Sequence, residues 1–283
     1  MENKICLVTG ANAGIGKTTA LGLAGKGAQV VMLCRNASKA EAARTAICQR
    51  SGSKKVDLVI CDLSSQDSVR EAAARVIAKY AHVDVLINNA GTFVSQFQTS
   101  PEGIELQFAV NHIGHFLLTH QLMPALRSAP SARIVNVSSG SHYGGQINFA
   151  SFTTAPAGGY SSWRAYSQSK LANILFTYEF ARRFPSPTLT ANVLHPGVVR
   201  TEIGQKSGSL LAKVLWTAFK PFMLTARQGA QTSLHVATSP KLAGVSGKYF
   251  EKSRETRSVD HAYDSELAGK LWARSEELCE ISF

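Results

Sequence analysis

Lys4-Ile5-Cys6-Leu7-Val8-Thr9-Gly10-Ala11-Asn12-Ala13-Gly14-Ile15-Gly16 opens the chain and decides its architecture. Lys4 to Gly10 is a short apolar run that ends in glycine and reads as a buried strand. Ile15 to Lys26 has the periodicity of a helix. The glycines between them fall where a strand hands over to a helix. There they permit a tight turn and close backbone approach to a pyrophosphate, while the helix start offers unpaired N–H groups and a positive dipole end. Gly10, Asn12, Ala13, Gly14, Ile15 and Gly16 are therefore candidate dinucleotide contacts.

Outward from this turn, apolar runs alternate with helical ones. Gln29 to Cys34, Val56 to Cys61, Val83 to Ile87, Arg133 to Val137, Thr188 to Leu194 and Gly247 to Phe250 read as further strands. Gln66 to Tyr80, Pro101 to Arg127 and Ala165 to Phe184 read as helices. Strict alternation predicts an α/β fold: a doubly wound, Rossmann-type parallel sheet of about seven strands, order 3-2-1-4-5-6-7, with helices on both faces. No linker-like shift, repeat or low-complexity tract interrupts residues 1–283, which predicts a single domain. A triphosphate loop is excluded. Gly16-Lys17-Thr18 matches its end, but the first glycine would have to stand at Ala11.

Composition bounds the function classes. A 45% hydrophobic content suffices for a large core. No apolar run reaches the roughly 18 residues of a membrane span. Met1 to Lys4 leads at once into the first strand, without a charged region and apolar signal core, and a cytoplasmic protein is expected. Cys6, Cys34, Cys48, Cys61 and Cys279 are odd in number and form no CxxC, so reduced thiols are expected and metal ligation is not. The net charge of +11 raises nucleic-acid binding. No aromatic-studded basic stripe supports a specific nucleic acid, and the charge equally suits an anionic cofactor or membrane surface.

Two further features carry chemistry. The second strand ends at Cys34-Arg35 without the carboxylate that would bind the ribose hydroxyls of NAD; Arg35 instead offers a fork suited to a 2′-phosphate, so NADP(H) is favoured over NAD(H). In Tyr166-Ser167-Gln168-Ser169-Lys170, Tyr166 and Lys170 stand one helical turn apart on one face. A cation beside a phenol favours the phenolate and lowers its pKa, as a tuned proton donor and acceptor requires.

Thr9, Gly10, Gly14 and Gly16, followed by Asp62-Leu63, Asn88-Asn89-Ala90-Gly91, Asn111, Ser138-Ser139, Tyr166 with Lys170, and Pro196-Gly197 with Thr201, resemble the short-chain dehydrogenase/reductase family across the whole chain. Val110-Asn111-His112-Ile113-Gly114-His115-Phe116-Leu117-Leu118-Thr119, His195-Pro196-Gly197-Val198-Val199-Arg200-Thr201 and Gly244-Val245-Ser246-Gly247-Lys248-Tyr249-Phe250 are similar to its retinol dehydrogenase branch.

The resemblance implies roles. Tyr166 is the general acid in carbonyl reduction and the base in alcohol oxidation. Lys170 lowers its pKa and holds the nicotinamide ribose. Ser139, favoured by register over Ser138 and Ser141, binds the substrate oxygen, and Asn111 holds a water behind Lys170. Asp62 and Leu63 flank adenine. Asn89, Ala90 and Gly91 close over the adenosine. Pro196, Gly197, Val199 and Thr201 hold the carboxamide. A homodimer or homotetramer is also implied. His112, His115 and His195 read as structural.

Two segments are expected to shape the substrate end. Residues 142–164 are rich in Gly, Ser, Thr and aromatics, and residues 203–225 read as an apolar lid. Together they imply a hydrophobic carbonyl or alcohol substrate, with peripheral membrane contact through the lid. The competing readings are a non-catalytic NADP(H) sensor on the same fold, and reduction of a steroid, quinone or other small carbonyl.

Overall fold

The computed structural model describes residues 1–199 and 223–283. Eight strands form one sheet: β1 (Ile5–Thr9), β2 (Gln29–Cys34), β3 (Val56–Ile60), β4 (Val85–Asn88), β5 (Ala132–Val137), β6 (Leu189–His195), β7 (Tyr249–Glu251) and β8 (Arg254–Thr256). Their order is β3-β2-β1-β4-β5-β6-β7-β8, the expected order with one strand added. All neighbours through β7 are parallel, and β8 is antiparallel to β7. The sequence leads to seven strands because Arg254-Glu255-Thr256 is polar, exposed and only three residues long. It pairs through a two-residue turn in which Lys252 (φ 51°) and Ser253 (φ 59°) are both left-handed, the hairpin geometry usually signalled by Asn-Gly.

Strand residues alternate between two cores. Leu7, Val31, Leu33 and Leu86 face one side, while Cys6, Val8, Val30, Met32 and Ile87 face the other. Helices α1 (Gly14–Ala24) and α2 (Ala37–Ser51) cover the second core. Helices α3 (Gln66–Lys79), α4 (Gly114–Arg127) and α5 (Ser162–Arg183) cover the first. Periodicity does not delimit α2 or two more described helices, α6 (Ala226–Thr238) beside α1, and α7 (Ser265–Cys279). α6 and α7 carry start signals, the Thr225/Gln228 capping box and the Asp264 cap.

The helix expected from Pro101 starts only at Leu106. Glu105 caps it, its carboxylate accepting from the Gln107 and Phe108 amides at 3.0 and 2.7 Å. A π-helical turn, Ala109–Ile113, then leads into α4. On the outer side, Trp272 of α7 packs edge-on to Phe116 of α4 (5.1 Å between centroids) and against Phe176 of α5 (5.7 Å). Arg70 of α3 donates to the Cys279 carbonyl at 2.7 Å, tying α7 down. Apolar residues of α4 and α5 are thus covered in part by the chain's own α7.

Candidate active site

All the expected site residues that are described lie at or near the C-terminal ends of the strands, where open α/β sheets bind ligands. The glycine turn is held by Thr9. Its hydroxyl accepts the amides of Asn89 (2.8 Å) and Ala90 (2.9 Å), and its carbonyl accepts from Asn89 Nδ2 (2.8 Å). Asn89 therefore braces backbone, and it brings Ala90 against the turn. Gly10 has φ +66°, and a Cβ there would stand 3.0 Å from Ala90 Cα. A Cβ on Gly16 would fall 2.5 Å from the Gly10 carbonyl oxygen. Helix α1 has Ala13 at its N-cap, which offers no side-chain cap, and no acid in its first turn. No side chain among the described residues therefore caps its leading amides, which suits an anion.

Across this turn the sheet places Arg35, which is 68% exposed and whose nearest acid is Asp62 at 4.0 Å. Asp62 is engaged by the Ser64 amide (3.0 Å) and hydroxyl (2.7 Å). Leu63 is buried against the start of α4, its carbonyl 2.4 Å from where a Gly114 Cβ would be. On the far side, Gly197 follows Pro196 with φ +87°, and Val199 meets Ile15 over Gly229, whose Cβ would lie 2.5 Å from Val199 and 3.4 Å from Ile15. Thr201 and all but the last three residues of the 203–225 lid lie outside the described residues.

Tyr166 and Lys170 share a face of α5, as their spacing predicts, the Lys170 ammonium lying 5.7 Å from the phenol ring centroid. Phe93 meets that ring edge-on at 5.7 Å, and Trp163 lies 6.3 Å away. Lys170 is buried and donates to the Val137 carbonyl at 3.1 Å. Burial pushes the Tyr166 phenol up to about 12, against the Ser139 hydroxyl, which acts to lower it. Burial likewise brings Lys170 down to about 8. The lowering of Tyr166 by Lys170 expected from their spacing is not seen: burial dominates the phenol, and the Ser139 hydroxyl is what acts against it.

Among the three neighbouring serines only Ser139 is partly exposed. Ser138 is buried and donates to the Lys170 carbonyl at 2.7 Å, and the Ser141 hydroxyl is buried. Asn111 lies in the π-turn, a feature frequent at functional sites. Its Nδ2 donates to the Thr92 carbonyl (3.1 Å) and Ser169 hydroxyl (2.9 Å), and its Oδ1 accepts the Thr92 amide (2.7 Å). A Cβ on Gly91 would stand 3.4 Å from both Asn111 Oδ1 and Lys170 Nζ, so Gly91 leaves the space beside the ammonium open. Thr92 and Ser169 join the site without being among the expected residues. Only Ser169, between Tyr166 and Lys170, carries a positional signal in the sequence.

The histidines are internal. His115 is buried and low in pKa, near 3, through desolvation. Its Nδ1 donates to the Asn111 carbonyl (3.1 Å), and its Nε2 faces the Thr9 hydroxyl (2.9 Å). His112 is buried against Phe108 and bonds Ser275 at 3.0 Å.

In the 142–164 segment one aromatic is core instead of pocket: Phe152 is fully buried and stacks on Phe108 at 3.8 Å. Tyr160 is half-buried, and its hydroxyl donates to Glu105 at 2.7 Å. Tyr143 and Trp163 stay exposed. A cavity of about 440 Å³ opens here between Phe97, Gln146, Tyr160, Arg164 and Gln168, without Ser139 or Tyr166 in its wall.

A family model for short chain dehydrogenases matches residues 4–210. Retinol dehydrogenase 14 of Mus musculus is 43% identical, over 99% of this chain and 87% of its own length. Retinol dehydrogenase 13 of Homo sapiens is 41% identical, over 98% and 85%. The crystal structure of an uncharacterized Mycobacterium paratuberculosis protein superposes with a TM-score of 0.80 at 32% identity, covering 100% of this chain and 95% of that one. A Shigella flexneri short chain dehydrogenase, solved with NADP, shares the fold at a TM-score of 0.71 and 23% identity, over 90% and 98%. Among the described residues no helix is long and apolar enough to cross a membrane.

Proposed function

From the premise that the chain belongs to the short chain dehydrogenase family of oxidoreductases, we propose that it interconverts a hydrophobic alcohol and its aldehyde or ketone, of retinol/retinal type, using NADP(H). The observation that carries the reading is the convergence on the Tyr166 phenol of the Ser139 hydroxyl and the Lys170 ammonium, the latter bordered by the space left at Gly91. The chain's residues suit a dinucleotide. The first amides of α1 are uncapped, and the Gly10 and Gly16 positions exclude a Cβ. Gly10, Asn12, Ala13, Gly14, Ile15, Gly16, Arg35, Asp62, Leu63, Asn89, Ala90, Gly91, Tyr166, Lys170, Pro196, Gly197, Val199 and Thr201 would hold it.

A bound nicotinamide supplies the hydride. Ser139 donates a hydrogen bond to the carbonyl oxygen as charge develops there. Tyr166 gives its phenolic proton to that oxygen in reduction and takes it back in oxidation. Lys170, already easily discharged, returns a proton toward Tyr166, and Asn111 fixes the backbone at Thr92 beside it. NADP(H) rather than NAD(H) is favoured because Arg35 is exposed and no carboxylate ends β2. The retinoid-like class rests on the relatives and on the apolar surface of Phe93 and Trp163 near Tyr166.

The test is NADPH consumption with a carbonyl panel that includes all-trans-retinal, steroids, quinones and small hydrophilic aldehydes. Turnover of the apolar aldehydes with NADPH is expected. Preference for small hydrophilic carbonyls would abandon the substrate class. Binding of NADPH with no turnover of any carbonyl would favour a dinucleotide sensor instead.

A further inference from the structure

Three imidazoles from three elements bond the backbone of the turn that carries Ser139. His142, inside the turn, donates from Nδ1 to the Ser139 carbonyl at 2.6 Å. His195, the last residue of β6, accepts the Gly140 amide on Nδ1 at 3.0 Å. His261, in the 3₁₀ turn Asp260–Tyr263 ahead of α7, donates from Nε2 to the Gly145 carbonyl at 2.9 Å. Gly140 lets the His195 ring approach, because a Cβ there would stand 3.2 Å from Nε2.

The three contacts differ in one chemical respect. His142 and His261 are donors to the turn, and a protonated imidazole still donates. His195 is an acceptor, and a protonated imidazole has no lone pair to offer. Protonating His142 would cost only its long contact with the Val259 amide (3.4 Å), outside the turn. Of these three imidazoles, His195 alone makes a contact with the turn that protonation removes.

We propose that His195 is a positioning residue for Ser139. Its neutral ring holds the Gly140 amide, fixes the peptide that follows Ser139, and so aims the Ser139 hydroxyl at the reacting oxygen. Protonation of His195 releases the turn and lowers turnover without touching the dinucleotide. This rests on the reading of Ser139 as the carbonyl-binding hydroxyl.

The charges around His195 set where the release falls. Burial holds its pKa below the ordinary histidine value; Glu251 raises it and Lys252 lowers it. His142, with His261 behind it, faces the same space and is itself held low by burial. The acid limb of kcat therefore lies below about pH 6.5.

The test compares wild type with His195→Phe, which keeps a ring and removes the acceptor, and His195→Asn, which offers a carbonyl oxygen in place of Nδ1. His195→Phe is expected to lower kcat about 20-fold, a fraction of the cost of losing an oxyanion donor, with KM for NADPH within about twofold. His195→Asn is expected to recover most of that loss and to abolish the acid limb. The Gly140 amide resonance, followed by NMR in the wild-type protein, is expected to titrate together with the His195 ring. An unchanged kcat in His195→Phe beside an active wild type overturns the positioning role and leaves the oxidoreductase reading standing. A wild type that reduces no carbonyl removes that reading, and the clamp is then judged by the Gly140 amide alone. Movement with His195 upholds the clamp, and a flat resonance overturns it.

Discussion

The ammonium of Lys170 donates to the Val137 carbonyl at 3.1 Å and stands 5.7 Å from the ring centroid of Tyr166, with both groups desolvated. The phenol therefore sits near 12 and is protonated throughout the neutral range. That is the form reduction needs and the wrong form for oxidation. Reduction is expected to be insensitive to Tyr166 ionisation below pH 9, while oxidation climbs by roughly tenfold per pH unit toward the phenol pKa. Tyr166→Phe should lower both directions by about 10³-fold while NADPH still binds. Steady-state rates of both directions against pH check this. An oxidation rate already level at pH 7 would mean that the bound dinucleotide brings the phenol down.

Lys170 also sets a stability cost. Its pKa is about 8 in the folded chain, below its ordinary 10.5, because burial penalises the charge. Between these values the unfolded chain holds more protons, so folding stability rises with pH from 8 to 10.5. Below 8 both states are charged and the full penalty, about 3 kcal/mol, persists. Lys170→Met removes the charge and keeps an unbranched stem. It should abolish turnover yet raise Tm by roughly 5 °C at pH 7, with the gain shrinking as pH approaches 10. A lower Tm at pH 7 would show that the Val137 contact outweighs the burial cost.

Arg35 is expected to select the cofactor. It is 68% exposed and only loosely engaged by Asp62 at 4.0 Å, so a phosphate would not have to displace a tight partner. Arg35→Ala should raise KM for NADPH about 10- to 100-fold, the worth of a charge-assisted pair, and leave NADH within about twofold. Because the site is open, the NADPH preference should also weaken with added salt. Equal effects on NADPH and NADH would move the selecting charge elsewhere.

The readable parts of the chain were those with strong periodicity or fixed spacing. Strands β1 to β7 are apolar runs, and the helix that holds Tyr166 and Lys170 is long, starting at Ser162 rather than Ala165. Arg254–Thr256 could not be read, since three exposed polar residues pair only because a turn brings them to β7. Pro101 to Glu105 looked helical beside the apolar run that follows, but the Glu105 carboxylate caps the helix four residues later. Within the site, residue types and order were legible, and through-space consequences were not. Ser169 bonded to Asn111, and His195 bonded to Gly140, join residues 58 and 55 positions apart. Nothing local in the sequence marks such pairs, and burial reverses the pKa effect that spacing alone suggests for Tyr166.

Two glycines give a matched pair of opposite expectations. Gly10 has φ +66°, and its Cβ would meet Ala90 Cα at 3.0 Å, a backbone atom tied to Thr9 that cannot easily yield. Gly269 lies inside α7, where a Cβ would meet nothing within 4 Å. Gly10→Ala should destabilise by about 2 kcal/mol through left-handed strain and crowding, and should weaken NADPH binding more than tenfold. Gly269→Ala should stabilise by about 0.5–1 kcal/mol by restricting the unfolded chain and favouring helix, with NADPH binding unchanged. Thermal unfolding with NADPH titration separates the two, because backbone strain at the turn must move both readouts and helix propensity only the first. If Gly10→Ala lost binding without losing stability, the glycine would serve only to clear space for the dinucleotide, and its left-handed conformation would carry no cost for alanine.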